Sequence, residues 1–243
     1  MTRPVAFSLV MPFHNNPTML DAHYAHLHEL PEEIARGLEV SICDDASNDG
    51  ERALPPYVRI GVPVIVHRIP PPHVPWSHRC ATNIAAHEST GNWLLVTDID
   101  HIVPLETWRW LMDRERRPLL RTDRAYTFTR RNLDGTPYKR HPDSWLFHRS
   151  LWETIGGYDT RYRGHYGQNA PFEQRVAHHA IIEGLPVPLV RVTRDDIPDA
   201  SERVLTRKSR ETRAAVSSLR TKFAIDGTFY QHQPLVPYEK VAP

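Results

Sequence analysis

Apolar positions along the chain fall in short runs divided by turn-forming residues, and these runs alternate with stretches of helical spacing. Val5 to Met11 reads as a buried strand, stopped by Pro12 and followed by the turn His14-Asn15-Asn16-Pro17. From Thr18 to Arg36, Leu20, Tyr24, Leu27, Leu30 and Ile34 keep a broadly helical spacing, with Pro31 marking a break. Leu38 to Cys43 is a second strand, ending in Asp44-Asp45-Ala46-Ser47-Asn48-Asp49-Gly50, which is too acidic and turn-rich to continue in a sheet. A short helical piece from Glu51 to Tyr57, a strand from Val62 to His67 and a helix from Trp76 to Ser89 follow, with Gly91 ending that helix near a left-handed position. Trp93 to Thr97 is then a strand that delivers Asp98-Ile99-Asp100-His101 at its carboxyl end. The alternation predicts an α/β protein with a mostly parallel central sheet flanked by helices.

The second half is less regular. Glu106 to Arg116 predicts a helix, Ala125 to Arg130 a strand, Asn132 to Thr136 a hairpin or loop, and Ser144 to His148 a short strand leading into Ile155-Gly156-Gly157-Tyr158-Asp159. Phe172 to Ile182 predicts a helix, Val187 to Val192 a strand, and 201–222 a long basic helix. The proline-rich stretch after Gly227 predicts a tail on the surface or without order.

Composition narrows the class. At 243 residues, 40% hydrophobic and 24% charged, the chain has material for one sizeable core and is not disordered as a whole. No run approaches the length of a membrane span and the first residues carry no signal-peptide pattern, so a cytoplasmic protein is expected. Cys43 and Cys80 sit far apart in apolar surroundings, as buried thiols do. The net charge of +1 hides a basic segment in which Arg203, Arg207, Lys208, Arg210, Arg213, Arg220 and Lys222 face only Glu202 and Glu211. Fifteen histidines are many for this length, and only their placement gives them meaning.

Two acidic strand ends are the candidate chemistry. Asp98 and Asp100 flank Ile99, and strand alternation puts both carboxylates on one side, as hard oxygen ligands for Mg²⁺ or Mn²⁺ that also hold a diphosphate. Asp44, Asp45, Ser47 and Asp49 end a neighbouring strand, where carboxylates meet base and ribose in nucleotide-binding folds. Either signal alone equally describes a solvated turn; parallel topology brings both to one crevice. Arg79 and His78, in the first turn of the preceding helix, face either a diphosphate or solvent.

These segments together resemble the family 2 glycosyltransferases and their relatives of the GT-A fold. The resemblance is carried by Ser8 to Asn15, Cys43 to Gly50, Ala81 to Asp100 and Ile155 to Asp159, in the family's order. It implies one catalytic domain over 1–227, with a nucleotide-binding half at 1–103, an acceptor half at 104–200, the basic helix at 201–222 and a tail at 228–243. Pro12, Phe13, His14 and Asn15 would line the nucleotide pocket, with Asp44 or Asp45 on base and ribose. Asp98, Ile99 and Asp100 would form the metal-and-diphosphate motif, Arg79 would face the diphosphate, and Asn83 would support the donor loop.

One departure matters. Where many members carry a Glu-Asp pair with the aspartate as general base, this chain has Gln168-Asn169, and an amide accepts no proton from the acceptor hydroxyl. Glu173, Asp159 or His165 would take that role, or the enzyme retains configuration, as the related polypeptide N-acetylgalactosaminyltransferases do with an Asn at the position of Asn169. Those relatives use a histidine as third metal ligand, for which Asp195 or Asp196 is the substitute here, with His232 a weaker candidate.

The expected reaction is metal-assisted transfer of a sugar from a nucleoside diphosphate carrier, uridine diphosphate favoured, to a soluble glycan or glycoconjugate. A modified base in nucleic acid, reached through the basic segment, and a noncatalytic nucleotide-sugar binding module are the alternatives.

Overall fold

The computed structural model describes residues 4–56, 60–71, 77–162, 169–192 and 236–241, with Ala214, Ser217 and Ser218. His165, Gln168, Asp195, Asp196, His232 and nearly all of the basic segment lie outside the described residues.

Strands β1 (Phe7–Phe13), β2 (Leu38–Asp45), β3 (Val64–Ile69) and β4 (Trp93–Val96) come from the first half of the chain, with helices α1 (Pro17–His28), α2 (Glu32–Ala35) and α3 (His78–Glu88) between them. The second half adds β5 (His101–Ile102), α4 (Leu105–Arg116), β6 (Arg124–Asn132), β7 (Pro137–Tyr138), β8 (Trp145–His148), α5 (Arg149–Ile155), α6 (Asn169–His179), β9 (Ile181–Arg191) and β10 (Glu239–Lys240). One sheet runs β10-β3-β2-β1-β4-β8-β6-β9-β5, with β7 beside β6.

The sheet is mixed, which corrects the expectation of a mostly parallel one. β3, β2, β1 and β4 are parallel, as are β6 and β9, but β4–β8, β6–β8, β5–β9, β6–β7 and β3–β10 are antiparallel. Strand direction depends on which partner a segment meets far along the chain, and local alternation carries no record of it.

Alternation along the central strands fills two core layers. Phe7, Leu9, Met11 and Phe13 of β1 and Trp93 and Leu95 of β4 face a layer that includes Leu20 and Leu27 of α1 and Trp108 and Leu111 of α4. Val10, Leu94, Val96, Trp145 and Phe147 face the opposite layer with Ile84 of α3, Trp152 of α5 and Phe172 of α6. Strands covered on both faces read as continuous apolar runs.

Several boundaries shift for identifiable reasons. β1 continues through Pro12 because Val10, of the same parity, faces β4, accepting from Thr97 N–H at 3.1 Å. β4 ends at Val96 opposite Val10, so the missing N–H of Pro12 has no strand to reach. Residues 51–56 form no helix. Gly91 is not in the left-handed region; it is glycine because an added Cβ would stand 2.5 Å from Ser8 Oγ and 2.7 Å from Ser8 N. Its N–H and that of Thr90 both donate to the buried carboxylate of Glu39, which fastens the α3–β4 turn to the sheet. Within the expected tail, β10 pairs with the β3 edge, and Val236 and Tyr238 pack on the core. No helix among the described residues is long and apolar enough to cross a membrane.

Two histidines of α1, one turn apart, hold the segment after β4. His23 Nε2 is 2.7 Å from the Ile99 carbonyl and His26 Nε2 is 2.9 Å from that of Val103. Burial pushes His23 down from 6.5 to about 4, so it is neutral in the folded protein and protonates first in the unfolded chain. Its contribution to stability is therefore complete above pH 6.5 and is lost by up to about 1.4 kcal/mol per pH unit on acidification toward pH 4. Urea denaturation across that window should show the decline, and His23→Gln, which keeps a donor for Ile99, should reduce its slope.

Candidate functional site

Parallel pairing brings three loops to one edge of the sheet. Phe13 lies opposite Asp44 and Val10 opposite Val96, so His14–Asn16, Asp44–Gly50 and Asp98–His101 leave β1, β2 and β4 side by side. The first two loops interlock. His14 Nδ1 is 2.7 Å from the Asp45 carbonyl, Asn15 N–H donates to Ser47 Oγ, and Asn48 N–H donates to Asn15 Oδ1. Asn15 and Ala46 take positive φ of 47° and 52° to allow this.

The carboxylates of the β2 loop serve its shape. Asp44 is fully buried and accepts from Ser47 N–H at 2.8 Å and Ala53 N–H at 2.9 Å. Asp45 accepts from Ser77 N–H, at the head of α3, at 2.6 Å. Asp44 and Asp45 therefore hold the backbone of this loop and join it to α3.

Asp98 is the centre of the second cluster. His78 Nε2 lies 2.9 Å from its Oδ1, and His141 Nε2 lies 3.4 Å from its Oδ2. Asp98, His141 and Asp143 each offer a ligand atom within 4.8 Å of the others. Antiparallel pairing explains the meeting: Val96 at the exit of β4 is opposite Trp145 at the entry of β8, so the residues just before β8 stand beside those just after β4. Burial pushes the Asp98 carboxyl up, but His78, by charge and hydrogen bond, then His141 and Arg79, outweigh it and hold Asp98 well below the usual carboxylate range. Burial takes His141 down to about 4, so its imidazole is neutral.

Asp100 is not one of those three. Its carboxylate turns to His101, whose Nδ1 is 2.7 Å from Asp100 Oδ1. Ile99 packs against the core, as alternation predicts.

Arg79 is buried beneath the cluster rather than facing a free phosphate site. It pairs with Asp143 at 2.6 Å, donates to Asn169 Oδ1 at 2.8 Å and lies 4.2 Å from the centre of the Tyr158 ring. Asn83 holds the adjoining loop: its Nδ2 donates to the Tyr158 carbonyl and its Oδ1 accepts from Tyr158 N–H, both at 2.8 Å. Gly157, at φ 68°, leaves room for it, since an added Cβ would stand 2.6 Å from Asn83 Oδ1.

The two described candidates for a catalytic base are engaged. Asp159 accepts from Arg161 Nε and Nη2 at 2.9 and 2.6 Å, and Glu173 accepts from Arg140 at 2.8 and 3.0 Å. His141 and Asp143 are the residues that sequence reasoning missed. The signal was a His-Pro-Asp triplet ahead of a short strand, the same two-residue spacing that drew attention to Asp98 and Asp100.

No protein-family model matches the chain, and no curated protein matches it. Solved structures do. S. aureus TarS 1–349 in complex with UDP-GlcNAc is similar with a TM-score of 0.61 at 12% identity, over 83% of this chain and 62% of that one. The mannosyltransferase PcManGT from Pyrobaculum calidifontis, in complex with GDP-Man and Mn²⁺, gives a TM-score of 0.56 at 18% identity, over 96% and 67% of the two chains. GalNAc-T7 with UDP, GalNAc and Mn²⁺ gives 0.60 at 14%, over 96% and 53%. The likeness is one of fold: this chain has an α/β fold akin to that of the nucleotide-sugar glycosyltransferases. It spans 62% of the length of TarS 1–349.

Loss of the Arg79–Asp143 pair should register in stability. Both side chains are nearly inaccessible, 8% and 9% exposed. Arg79→Met should therefore lower the urea-unfolding free energy by about 3–5 kcal/mol, by leaving Asp143 buried without its cation.

Proposed function

We propose that this protein is a cation-dependent glycosyltransferase that moves a sugar from a nucleoside diphosphate carrier, uridine diphosphate first among them, to a hydroxyl of a glycan or glycoconjugate. The observation that carries this is the convergence of Asp98, His141 and Asp143 within 4.8 Å at the edge where β1, β2 and β4 release their loops. Ligands bind at that edge in open α/β sheets. The fold neighbours support the reading, since PcManGT is described with GDP-Man and Mn²⁺ and GalNAc-T7 with UDP, GalNAc and Mn²⁺.

The donor set fits a divalent cation. Two carboxylates and an imidazole suit Mn²⁺, and the neutral His141 and ionised Asp98 present their lone pairs without first losing a proton. A cation there would offset the charge that grows on the departing diphosphate. The chain's own residues do the rest. The interlocked His14–Asn16 and Asp44–Gly50 loops form the floor for the nucleoside, His78 and Arg79 hold Asp98 ionised, and Arg79 pairs with Asp143.

The same geometry favours transfer with retention of configuration. Asn169 heads α6 where an inverting enzyme of the resembling family has its base, and its Oδ1 is taken by Arg79. Asp159 and Glu173 are both held by guanidinium groups. A product of the same anomeric configuration as the donor, read by proton NMR, is the expected outcome; an inverted product would restore a protein base to the mechanism.

The function itself is tested by a panel of UDP-, GDP- and dTDP-sugars with Mn²⁺. Release of the nucleoside diphosphate is expected from one of them, falling by about two to three orders of magnitude in Asp98→Asn. Donor binding without turnover on every sugar would instead make the chain a nucleotide-sugar binding module.

A further inference from the structure

We infer that the acceptor is an acidic saccharide: it carries a phosphate or a carboxylate near the hydroxyl that receives the sugar, and Lys139 and Arg191 bind that anion. This rests on the proposed sugar transfer and names the class of its acceptor.

Strand order gives the cation site two sides. β1 and β2 lie on one side of β4, and β8, β6 and β9 lie on the other. The interlocked loops proposed for the nucleoside stand on the first side, which leaves the second to the acceptor. β7 and β8 both pair with the edge of β6 that faces away from β9, so the segment 139–144 between them passes Asp98 with His141 and Asp143 in it. Lys139 and Arg140 open that segment. From the other edge of β6 the end of β9 reaches the same place, where Arg191 is in register with His101 and with Asn132. Val192 N–H donates to the Asp100 carbonyl at 3.0 Å, which ties that end to the loop after β4.

Charge on this side is positive. The guanidinium carbons of Arg130 and Arg191 lie 4.6 and 4.7 Å from the centre of one ring, that of Tyr138, so the two cations are no farther apart than the sum of those distances. Arg130 is buried and donates through Nε to the Lys139 carbonyl at 2.8 Å, which fixes the hairpin. Other charges nearby already have partners: Arg131 pairs with Glu106, Arg140 with Glu173, and Asp134 at the hairpin turn accepts from Thr136. Among the described residues, the exposed Lys139 and the half-buried Arg191 have no carboxylate within ion-pair distance. Like charges gathered about one ring repel one another, and an anion set among them turns that repulsion into attraction.

Reach and number select the anion. Lys139 precedes His141 by two residues, so at most about 8 Å separates their Cα atoms. The receiving hydroxyl has to meet the sugar beside the cation, so the group that Lys139 and Arg191 reach is on the same acceptor sugar or on the next one. The diphosphate of the donor is served by the cation and leaves these two side chains to the acceptor. Two such side chains at one place match one anionic group, whereas a nucleic acid engages a row of roughly 6–10 phosphates. A guanidinium and an ammonium accept a phosphate or a carboxylate alike, so both belong in the test.

The test offers the full chain, with Mn²⁺ and a donor it turns over, acidic sugars beside their neutral counterparts: glucose 6-phosphate and glucuronate against glucose, and mannose 6-phosphate against mannose. Acceptor-dependent release of the nucleoside diphosphate is read. At least one acidic sugar should exceed its counterpart in kcat/KM by about tenfold or more, and the phosphate and carboxylate arms show which anion the site takes. Lys139→Gln combined with Arg191→Gln should bring that ratio to within about twofold, chiefly through KM, while Arg191→Lys, which keeps the charge, should hold most of it. Raising the salt from about 50 to 500 mM should shrink the ratio as well. If no sugar is accepted, binding of the two sugar phosphates followed by phosphorus NMR decides the matter: saturable binding, weakened about fivefold or more in the double variant, is expected. The inference is overturned if the neutral sugar of each pair serves as well as the acidic one, if the double variant leaves the ratio where it was, or if parent and double variant bind the sugar phosphates alike. Tighter binding of a single-stranded oligonucleotide than of any acidic sugar, lost in the same variant, overturns it too and gives these cations to nucleic acid. None of these results touches donor turnover, on which the proposed function stands; a parent that releases nucleoside diphosphate from no donor removes that function and the acceptor with it.

Discussion

Three consecutive residues at the head of α3 each hold a carboxylate from a different part of the chain, and the candidate site depends on them. Ser77 N–H binds Asp45 from the end of β2, His78 binds Asp98 from the end of β4, and Arg79 binds Asp143 from the entry of β8. Carboxylates gathered at one sheet edge repel one another. They stay together because the positive end of a helix and two basic side chains are set among them. Ser77 and Arg79 are buried, so these contacts act with little screening by solvent.

β4 is the strand at which the sheet changes character. It lies parallel to β1 on one side and antiparallel to β8 on the other, so its carboxyl end meets both the outgoing loops of the first half of the chain and the incoming segment of the second. A wholly parallel sheet would have set the exit of another strand there. The antiparallel neighbour instead delivers His141-Pro142-Asp143 to Asp98. The site thus combines loops fixed by hydrogen bonds to the backbone with a cluster fixed by ion pairs and ring packing.

Much of this was legible from local pattern. The runs Phe7 to Met11 and Trp93 to Val96 put apolar side chains into both core layers, as a strand between two helical layers requires, while Leu38 to Cys43 alternates Leu38, Val40 and Ile42 with the buried polar Glu39 and Ser41. The acidic turns after β2 and β4 mark the candidate edge because turn chemistry and carboxylates are visible residue by residue. Gly91 was misjudged for want of spatial information: its constraint is a close approach to Ser8, 83 residues away along the hydrogen bond they share. β10 escaped notice because a two-residue strand has no period to detect, only an edge to join.

By itself the sequence determined the α/β class, the order of strands β1 to β4 with helices α1 and α3 among them, and the two acidic strand ends, since each rests on hydrophobic period or turn chemistry within a short window. Tertiary structure alone decided what those acids do. Whether a carboxylate faces a backbone amide, a guanidinium or a shared cation-binding space depends on partners brought from elsewhere in the chain. Hence Asp44 braces a loop, Asp100 turns to His101, and Asp98 finds His141 and Asp143, although nothing in the local sequence distinguishes the three aspartates.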